Sequence, residues 1–593
     1  MCLPGKYNQP MIATRRYTET LLYTLAGGML LLGAWLIQHK DLPAFLNGSF
    51  LVQQRGTITA VMLAIYAGLL LACGVAALTL ARREQSLGRF LREQVLSTRD
   101  RLRETAAFVA ACLSEPSDVV FLVLALVIGI GLRAYFMGQP MRLDESYTFL
   151  YYLNQGRDPF NYVIPNNHVL HTLLAWLSVS IGGMGPLALR LPAFLAGVLC
   201  IPLTFFVGRS FSRTAGVVAA LGMAAFPYMI LYSTMARGYS LLVLLTLCLL
   251  LAGKMYLDRP APGGVILMAA VSALGLLTMP TMVFLLAGFY LWLALALWLK
   301  ARDALAILKG LLIPSAGWIA LLTVILYTPT VISSNGAERI FSNRFVDSRS
   351  WKDFLNHLYP HVQQILSDFS RDIPRAAEYT LVLLVLLGLF IAWRRRDWGV
   401  LLLLPSIVVG AALVLFAKHV IPFVRTWIYL IPFALLYADL GLAVLVEQLR
   451  PAFRTLPAAL VFLAALLLGG SLISTDTIAA YADTGSFPEA AVVAQYLKPL
   501  MTGDEYIVVR DPANYTTFYY LCADDAPPQN PHIDPLAAKR YFITQKGAQA
   551  LSDLTSQPAT QIFVYGDAVI YTATGGPVPP FPAYTFDCRD TRK

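Results

Sequence analysis

Charged residues are scarce in this chain. They make up 13% of its 593 residues, while 57% are hydrophobic and the mean hydropathy is +0.62. A soluble globular protein carries about 25% charged residues, so a soluble cytosolic enzyme and a disordered protein are both excluded. Seven cysteines in this length also exclude a disulfide scaffold. The chain is therefore expected to cross a membrane many times.

Long apolar runs supply the membrane spans, because a hydrocarbon core about 30 Å thick needs about 20 apolar residues per helix. Such runs predict about thirteen transmembrane helices. They lie near 20–38, 57–81, 117–137, 186–207, 214–233, 238–253, 264–279, 281–299, 310–331, 378–393, 399–416, 426–446 and 456–474.

Basic residues cluster in alternate connections and so set the orientation. Threading the spans alternately places these clusters on one side, which the positive-inside rule identifies as the cytoplasm. The net charge of +10 is thus mostly a topology signal and does not support nucleic-acid binding. The alternation requires that 168–183 not cross, so we predict a helix at the outer interface there. The loops 138–185, 332–377 and 417–425 and the tail then face outwards.

The predicted organisation has three parts. Residues 1–115 form a two-span extension with a basic cytoplasmic connection, 116–475 form the transmembrane core, and 476–593 form a small extracytoplasmic α/β domain. In this tail, strand-length runs at 506–510, 516–522, 541–544 and 561–565 follow a helical stretch at 488–500. Cys522 and Cys588 are the only cysteines of the tail, and a disulfide between them is favoured over two free thiols.

Ionisable residues at the ends of apolar spans are costly, so their positions point to function. The segment 141–152 (MRLDESYTFLYY) places the adjacent acids Asp144 and Glu145 at the outer mouth of the bundle. Acids at a helix N-terminus can simply stabilise that helix. Alternatively, one of them takes a proton from an acceptor hydroxyl or amine while a leaving group departs. Position alone leaves both interpretations open.

The order of four motifs resembles the family 39 glycosyltransferases. This polytopic GT-C group includes the protein O-mannosyltransferases and the lipid A aminoarabinose transferase. Asp144-Glu145 follows the first core span, as in the D-E signature of the family. The other three matches are Gly185 followed by Arg190-Leu191-Pro192-Ala193, Gly208-Arg209-Ser210 leading to Ala236–Leu241 (ARGYSL), and Arg425–Pro432 (RTWIYLIP). The resemblance covers about residues 117–475.

The resemblance implies a polyprenyl-phosphate sugar as donor, used at the outer face of a bacterial inner membrane. Arg425, Arg237 and Lys418 are candidates for holding the donor phosphate, although each can also be an interfacial anchor. The other candidate substrate-site residues are His168, His171, Tyr147 and Tyr239. The chain departs from the family at 164–168, which carries neither acid nor lysine, and at Thr278-Met279, where relatives often have Thr-His.

The first hypothesis is therefore an inverting transferase that moves a sugar to a glycolipid, polysaccharide or protein. Asp144 acts as the base, with Glu145 assisting. The chemistry requires no divalent metal, and the sequence leaves the use of one open. A transporter or flippase for a lipid-linked sugar is the alternative. Against it stand the paired acids at an outer mouth, because transport sites tend to lie near the bilayer midplane.

Overall fold

The computed structural model describes residues 87–154, 158–162, 166–332, 348–481, 484–501, 505–523, 539–547 and 550–574. Over these residues, nine helices are long and apolar enough to cross a membrane. They are Pro116–Phe136, Pro186–Phe211, Tyr239–Asp258, Met282–Ala301, Ala304–Val331, Arg375–Arg394, Trp398–Lys418, Val424–Glu447 and Pro451–Thr475. The predicted multi-pass α-helical class is confirmed.

The predicted number of spans stays a prediction. The first two, 20–38 and 57–81, lie outside the described residues. The predicted span 264–279 is the helix Pro262–Thr278, whose 17 residues are at the short limit for crossing. Before the core, the long helix Leu87–Cys112 packs on Pro262–Thr278.

The predicted span 214–233 consists of two successive helices, Val217–Ala225 and Pro227–Ser233, and its crossing of the membrane stays a prediction. Pro227 has no N–H to donate and disfavours helical backbone in the residue before it. Carbonyl groups freed by this break must be satisfied within the protein, since lipid offers no donors. Arg133, fully buried in Pro116–Phe136, donates to the carbonyls of Met223 at 3.1 Å and Ala224 at 2.9 Å.

The predicted interfacial segment forms the helix Val169–Gly182, which we call the interfacial helix. Its 14 residues span about 21 Å, which is less than the hydrocarbon core. One side is buried through Ala175 and Val179, while Trp176 and Ile181 on the other side are exposed. The length supports the prediction that this segment does not cross.

One helix crossing is close because two glycines meet there. Gly288 and Gly410 join Met282–Ala301 to Trp398–Lys418, and a Cβ on either glycine would collide with the backbone of the other helix. Small residues allow such close contacts between helices in a membrane, where van der Waals packing drives association. These contacts fix the helix that leads into the segment carrying Arg425.

The helix Trp351–Ser370 packs against this same segment. It begins at Ser350, whose hydroxyl accepts from the Asp353 N–H at 3.3 Å. His361 is buried on its inner face and accepts a hydrogen bond from the Trp427 indole at 2.9 Å. Trp427 lies in the short 3-10 helix Val424–Tyr429, so Arg425 is held on a well-packed segment.

The tail contains a four-stranded mixed sheet. Glu505–Val508 pairs in parallel with Lys539–Gln545, which pairs antiparallel with Ala568–Thr574. The edge strand Thr560–Tyr565 completes the sheet as an antiparallel neighbour of Ala568–Thr574. The helix expected over 488–500 is present as Ala490–Leu497 with a 3-10 turn after it.

One predicted strand of the tail is wrong. Residues 516–522 belong to a helix, Ala513–Cys522, which we call the tail helix. Its Thr- and Tyr-rich sequence favours a strand by local propensity, but tertiary packing overrides that preference. Tyr515, Phe518, Tyr519 and Cys522 are all buried, and their spacing places them along one helical face.

Candidate functional site

The two adjacent acids lie in a six-residue helix, Leu143–Thr148, which follows the C-terminal end of the first core span, Pro116–Phe136. We call it the acid helix. Arg142 precedes it with extended backbone, and its N–H donates to Glu145 Oε1 at 2.8 Å. This is the bond that an N3 acid makes in a capping box. One of the two acids therefore serves the structure of the helix itself.

Glu145 is fully buried, and its carboxylate is saturated with hydrogen bonds. Arg190 donates to it from Nε at 3.0 Å and also from a terminal nitrogen, and the Ala236 N–H donates at 2.9 Å. The remaining donors of Arg190 bind the carbonyls of Met137, Gln139 and Pro140 at 2.7, 2.7 and 3.1 Å. Glu145 thus fixes three parts of the site relative to one another.

Arg142 joins the acid helix to the chain that enters the tail. Its buried guanidinium donates to the carbonyls of Ile478 at 2.6 Å and Ala479 at 3.0 Å, and to that of Tyr481. Neither Arg142 nor Arg190 was given a role by the sequence analysis. An arginine beside or within an apolar run needs a buried hydrogen-bond partner, and this pattern could have marked both residues as structurally important.

Asp144 is oriented differently from its neighbour. It forms an ion pair with Arg425 at 3.3 Å, and both side chains keep some solvent exposure, 14% for Asp144 and 12% for Arg425. Arg425 Nε also donates to the Tyr239 hydroxyl at 2.7 Å. The guanidinium lies over the Phe423 ring at 4.3 Å. Three predicted site residues, Asp144, Arg425 and Tyr239, are therefore joined by direct contacts.

Arg237 lies beside this group and is buried. Its guanidinium donates to the Thr148 hydroxyl and the Asn166 carbonyl, both at 2.9 Å, and contacts His168 Nε2 at 3.1 Å. His168 in turn packs edge-on against Tyr239, with ring centroids 5.0 Å apart, and accepts from the Gly238 N–H at 2.9 Å. The contacts run without interruption from Asp144 through Arg425, Tyr239 and His168 to Arg237.

The two histidines stay neutral near pH 7. Burial and the positive charge of Arg237 lower the pKa of His168 well below its usual range and that of His171 to about 3. His171 is fully buried in the interfacial helix, and neither of its ring nitrogens has a hydrogen-bond partner among the described residues. The positive charge of this region therefore comes from the arginines.

The other predicted residues lie further away. Tyr147 packs its ring against Tyr151 at 4.1 Å and Tyr515 at 5.0 Å. Lys418 is exposed at the end of its helix and makes no ion pair within the described part of the chain. Cys522 is disulfide-bonded, and its predicted partner Cys588 lies outside the described residues. Within the described part of the chain, no group of three His, Cys, Asp or Glu side chains is arranged to hold a metal ion.

Comparisons with known proteins agree with this architecture. Residues 167–327, which contain Arg190, His168 and Arg237, match the family model described as dolichyl-phosphate-mannose-protein mannosyltransferase. The fold is similar to that of ArnT from Cupriavidus metallidurans in the apo state. That alignment has 15% identity and a TM-score of 0.50, and it covers 77% of this chain and 97% of the other. The chain is a membrane glycosyltransferase with the GT-C fold.

Two further solved structures are similar to this GT-C glycosyltransferase at lower scores. ArnT bound to undecaprenyl phosphate aligns at 15% identity and a TM-score of 0.47 over 77% of this chain and 99% of the other. The oligosaccharyltransferase of Archaeoglobus fulgidus, tethered with an acceptor peptide, aligns at 14% identity and a TM-score of 0.40 over 71% and 60%. No curated protein sequence matches significantly. The predicted fold and enzyme class are confirmed, while the role of each site residue stays a prediction.

Proposed function

We propose that this glycosyltransferase moves a sugar from a polyprenyl-phosphate donor to an acceptor on the extracytoplasmic face of a bacterial inner membrane. The ion pair between Asp144 and Arg425 carries the proposal. Transfer from a lipid phosphate needs a base for the acceptor next to a cation for the departing phosphate. The description of the matched family, which names dolichyl phosphate mannose, favours the same class of donor.

Asp144 is the catalytic base in this proposal. Its carboxylate takes the proton of the acceptor hydroxyl as the acceptor oxygen attacks the anomeric carbon of the sugar. The bond from that carbon to the phosphate oxygen breaks, and its electron pair stays with the phosphate. The products are the glycosylated acceptor, with inverted anomeric configuration, and free polyprenyl phosphate. The partial exposure of Asp144 leaves it open to an acceptor from the aqueous side.

Arg425 and Arg237 bind the donor phosphate and neutralise the charge that develops on it. Arg425 is held by Tyr239, and Arg237 by Thr148 and Asn166, so both cations are oriented before the donor arrives. Such preorganisation is what makes charge stabilisation effective in a site sheltered from water. Glu145 is a positioning residue, because its carboxylate is fully engaged with Arg190 and the backbone.

The surrounding parts of the chain have supporting roles in this proposal. The core 116–475 holds the donor, and the tail 476–593 stands outside the membrane above it. The acceptor is a glycolipid, a polysaccharide or a protein.

The proposal is tested with the full chain in lipid nanodiscs and a labelled polyprenyl-phosphate sugar. Release of free polyprenyl phosphate is followed, together with binding of the intact donor. Asp144→Asn is expected to stop release while donor binding is retained or tightened, since Arg425 loses a competing carboxylate. Asp158→Asn is the control, because Asp158 is an exposed acid of the same loop, and its carboxylate accepts from the Phe160 N–H of its own turn.

Two results contradict the proposal. Release at an unchanged rate by Asp144→Asn removes that residue from the chemistry. Movement of the intact sugar lipid across the bilayer, without cleavage of its sugar–phosphate bond, identifies a flippase instead.

A further inference from the structure

The helix Trp351–Ser370 has three distinct faces. Successive residues of an α-helix are rotated by about 100°, so side chains three or four positions apart share a face. One face is buried or half-buried and consists of Phe354, Leu358, His361, Ile365 and Phe369. The face next to it is apolar but exposed and consists of Trp351, Leu355, Tyr359, Val362 and Leu366. Apart from Pro360, every other residue of the helix is polar or charged.

The buried face fixes how this helix is rotated. Near its start, Phe354 packs edge-on against Phe416 at 5.3 Å between ring centroids. Near its end, the ring of Phe369 lies 5.0 Å from that of Tyr228. The hydrogen bond to Trp427 lies between these two contacts. Packing along the whole length of the helix therefore gives its exposed apolar face a fixed direction.

The exposed apolar face continues onto a surface that contacts lipid. Four residues separate the helix from the span Arg375–Arg394. Within that span, Gly388 and Ala392 are the buried residues. Its exposed residues include Tyr379, Leu383, Leu386 and Phe390. A span of this composition meets acyl chains over most of its surface, so the chain enters the bilayer directly after the helix ends.

We infer that the exposed apolar face of Trp351–Ser370 is embedded in the lipid–water interface, and that the bilayer thereby keeps Arg425 in position through the hydrogen bond between His361 and Trp427. A helix with one strongly polar side and Trp and Leu on another lies in the plane of the interface. Tyr and Trp are enriched at this depth. Leu366 is 64% exposed and Tyr359 69%, and packing within the described part of the chain does not account for either.

His361 is a positioning residue in this inference. It lies on the buried face, one residue before Val362 of the exposed apolar face. Its partner Trp427 lies two residues after Arg425 in the same 3-10 helix. A displacement of the helix from the bilayer therefore reaches the guanidinium of Arg425 through one hydrogen bond. The effect on activity rests on the proposed function, whereas the position of the helix in the membrane does not.

The embedding is tested on the full chain in nanodiscs, with a fluorescent amino acid encoded at Leu366 in one variant and at Gln364 in another. Gln364 is the matched control, because it is exposed on the polar side, about 200° around the helix. Lipids brominated on their acyl chains quench a fluorophore in the bilayer, and iodide quenches one in water. We expect brominated lipid to quench at 366 about threefold more strongly than at 364. Iodide should give the reverse order.

The link to Arg425 is tested by two substitutions of His361. His361→Leu removes the acceptor of the Trp427 indole, and His361→Gln supplies an amide oxygen in its place. Polyprenyl phosphate release is measured against donor concentration. We expect His361→Leu to raise the donor KM about fivefold with a smaller effect on kcat, as for loss of one neutral hydrogen bond. His361→Gln should recover most of this loss.

The bilayer's part in this link is tested on the apolar face itself. Leu355 and Leu366 are both replaced by Gln in one variant, which weakens embedding without touching the buried face. The donor KM should rise about threefold, in the same direction as in His361→Leu. Gln364→Ser is the control and should keep the wild-type KM.

Three results overturn the inference. Equal quenching at the two positions means that another segment of this chain or a second copy covers the apolar face. An unchanged donor KM in His361→Leu means that the helix does not hold Arg425. An unchanged KM in the double Gln variant means that the bilayer does not act through it. If His361→Leu is not recovered folded, the double Gln variant decides the link alone. The quenching uses no donor, so absence of release by the wild type contradicts the proposed function and leaves the embedding decided.

Discussion

Replacing Asp144 and Glu145 separately by their amides should give two opposite phenotypes, although the residues are adjacent. Asn and Gln preserve shape and remove only the negative charge. Glu145→Gln leaves the guanidinium of Arg190 buried without a counter-charge, because the carboxylate is the only anion in contact with it among the described residues. Asp144→Asn breaks a pair that is partly exposed and 3.3 Å long.

The magnitudes differ accordingly. Leaving one partner of a buried ion pair uncompensated destabilises a protein by about 3–5 kcal/mol. A partly exposed pair contributes roughly 0–1 kcal/mol, so Asp144→Asn should unfold almost like the wild type. For turnover, Asp144→Asn should be the more severe variant, because loss of a general base slows a reaction by about 10²–10⁴-fold.

Both quantities can be measured on the same preparations. Stability is followed as the fraction of monodisperse protein that survives a temperature series in detergent, and turnover as release of polyprenyl phosphate. Glu145→Gln should lose monodispersity at a markedly lower temperature, whereas Asp144→Asn should survive like wild type and turn over at least a hundredfold more slowly. Equal thermal survival of the two variants would refute the structural role of Glu145. Near-normal turnover of Asp144→Asn would refute its role as base.

Three further outcomes are expected. Arg425→Gln should raise the donor KM about 10–100-fold, as expected for loss of one charged hydrogen bond to phosphate, and Arg425→Lys should recover part of it in a donor titration. Arg133→Met should lower the free energy of unfolding by roughly 2–5 kcal/mol, because the carbonyls freed by the Pro227 break lose their donor inside the membrane. Thermal survival of the variant is the measurement. The depressed pKa values of His168 and His171 mean that the folded state binds fewer protons than the unfolded state below pH 6.5. Stability should therefore fall between pH 7 and pH 5, by about 2 kcal/mol for His171, and His171→Gln should remove this contribution from the pH dependence of thermal survival.

Hydropathy predicted most of the transmembrane core because lipid imposes a strict length and composition on each span. It did not predict the helix break within 214–233, where Pro227 stands inside an apolar run. A proline there breaks the hydrogen-bond ladder without interrupting hydropathy. The break is tolerated because Arg133 caps the freed carbonyls, and that partner lies on a helix far away in sequence.

The tail helix shows a second limit of sequence reasoning. Tyr515, Phe518, Tyr519 and Cys522 are spaced for one face of a helix, but the residues between them are also apolar or small. With little polar contrast, the periods of 2 and 3.6 residues cannot be told apart. Contact with the acid helix decides the outcome, and that contact cannot be read from local sequence.

The candidate site was predicted in part for the same reason. Asp144, Arg237 and Arg425 stand out because charge is rare at the ends of apolar spans. Their pairing was not predictable, since it depends on which span ends are neighbours in the bundle. The burial of Glu145 beside Arg190 was also not predictable, since it depends on which way each of the two adjacent side chains faces.

The site therefore lies where the core and the tail are in contact. Hydrogen bonds between Glu145 and Arg190 attach the acid helix to the core, while Arg142 and the tail helix attach it to the tail. Buried ionic contacts of this kind are sensitive to the loss of either partner, which makes the position of Asp144 depend on both domains. A tail that served only as an exposed appendage would need none of these contacts. The tail therefore packs directly on the helix that carries Asp144, and loss of these contacts should displace the proposed base.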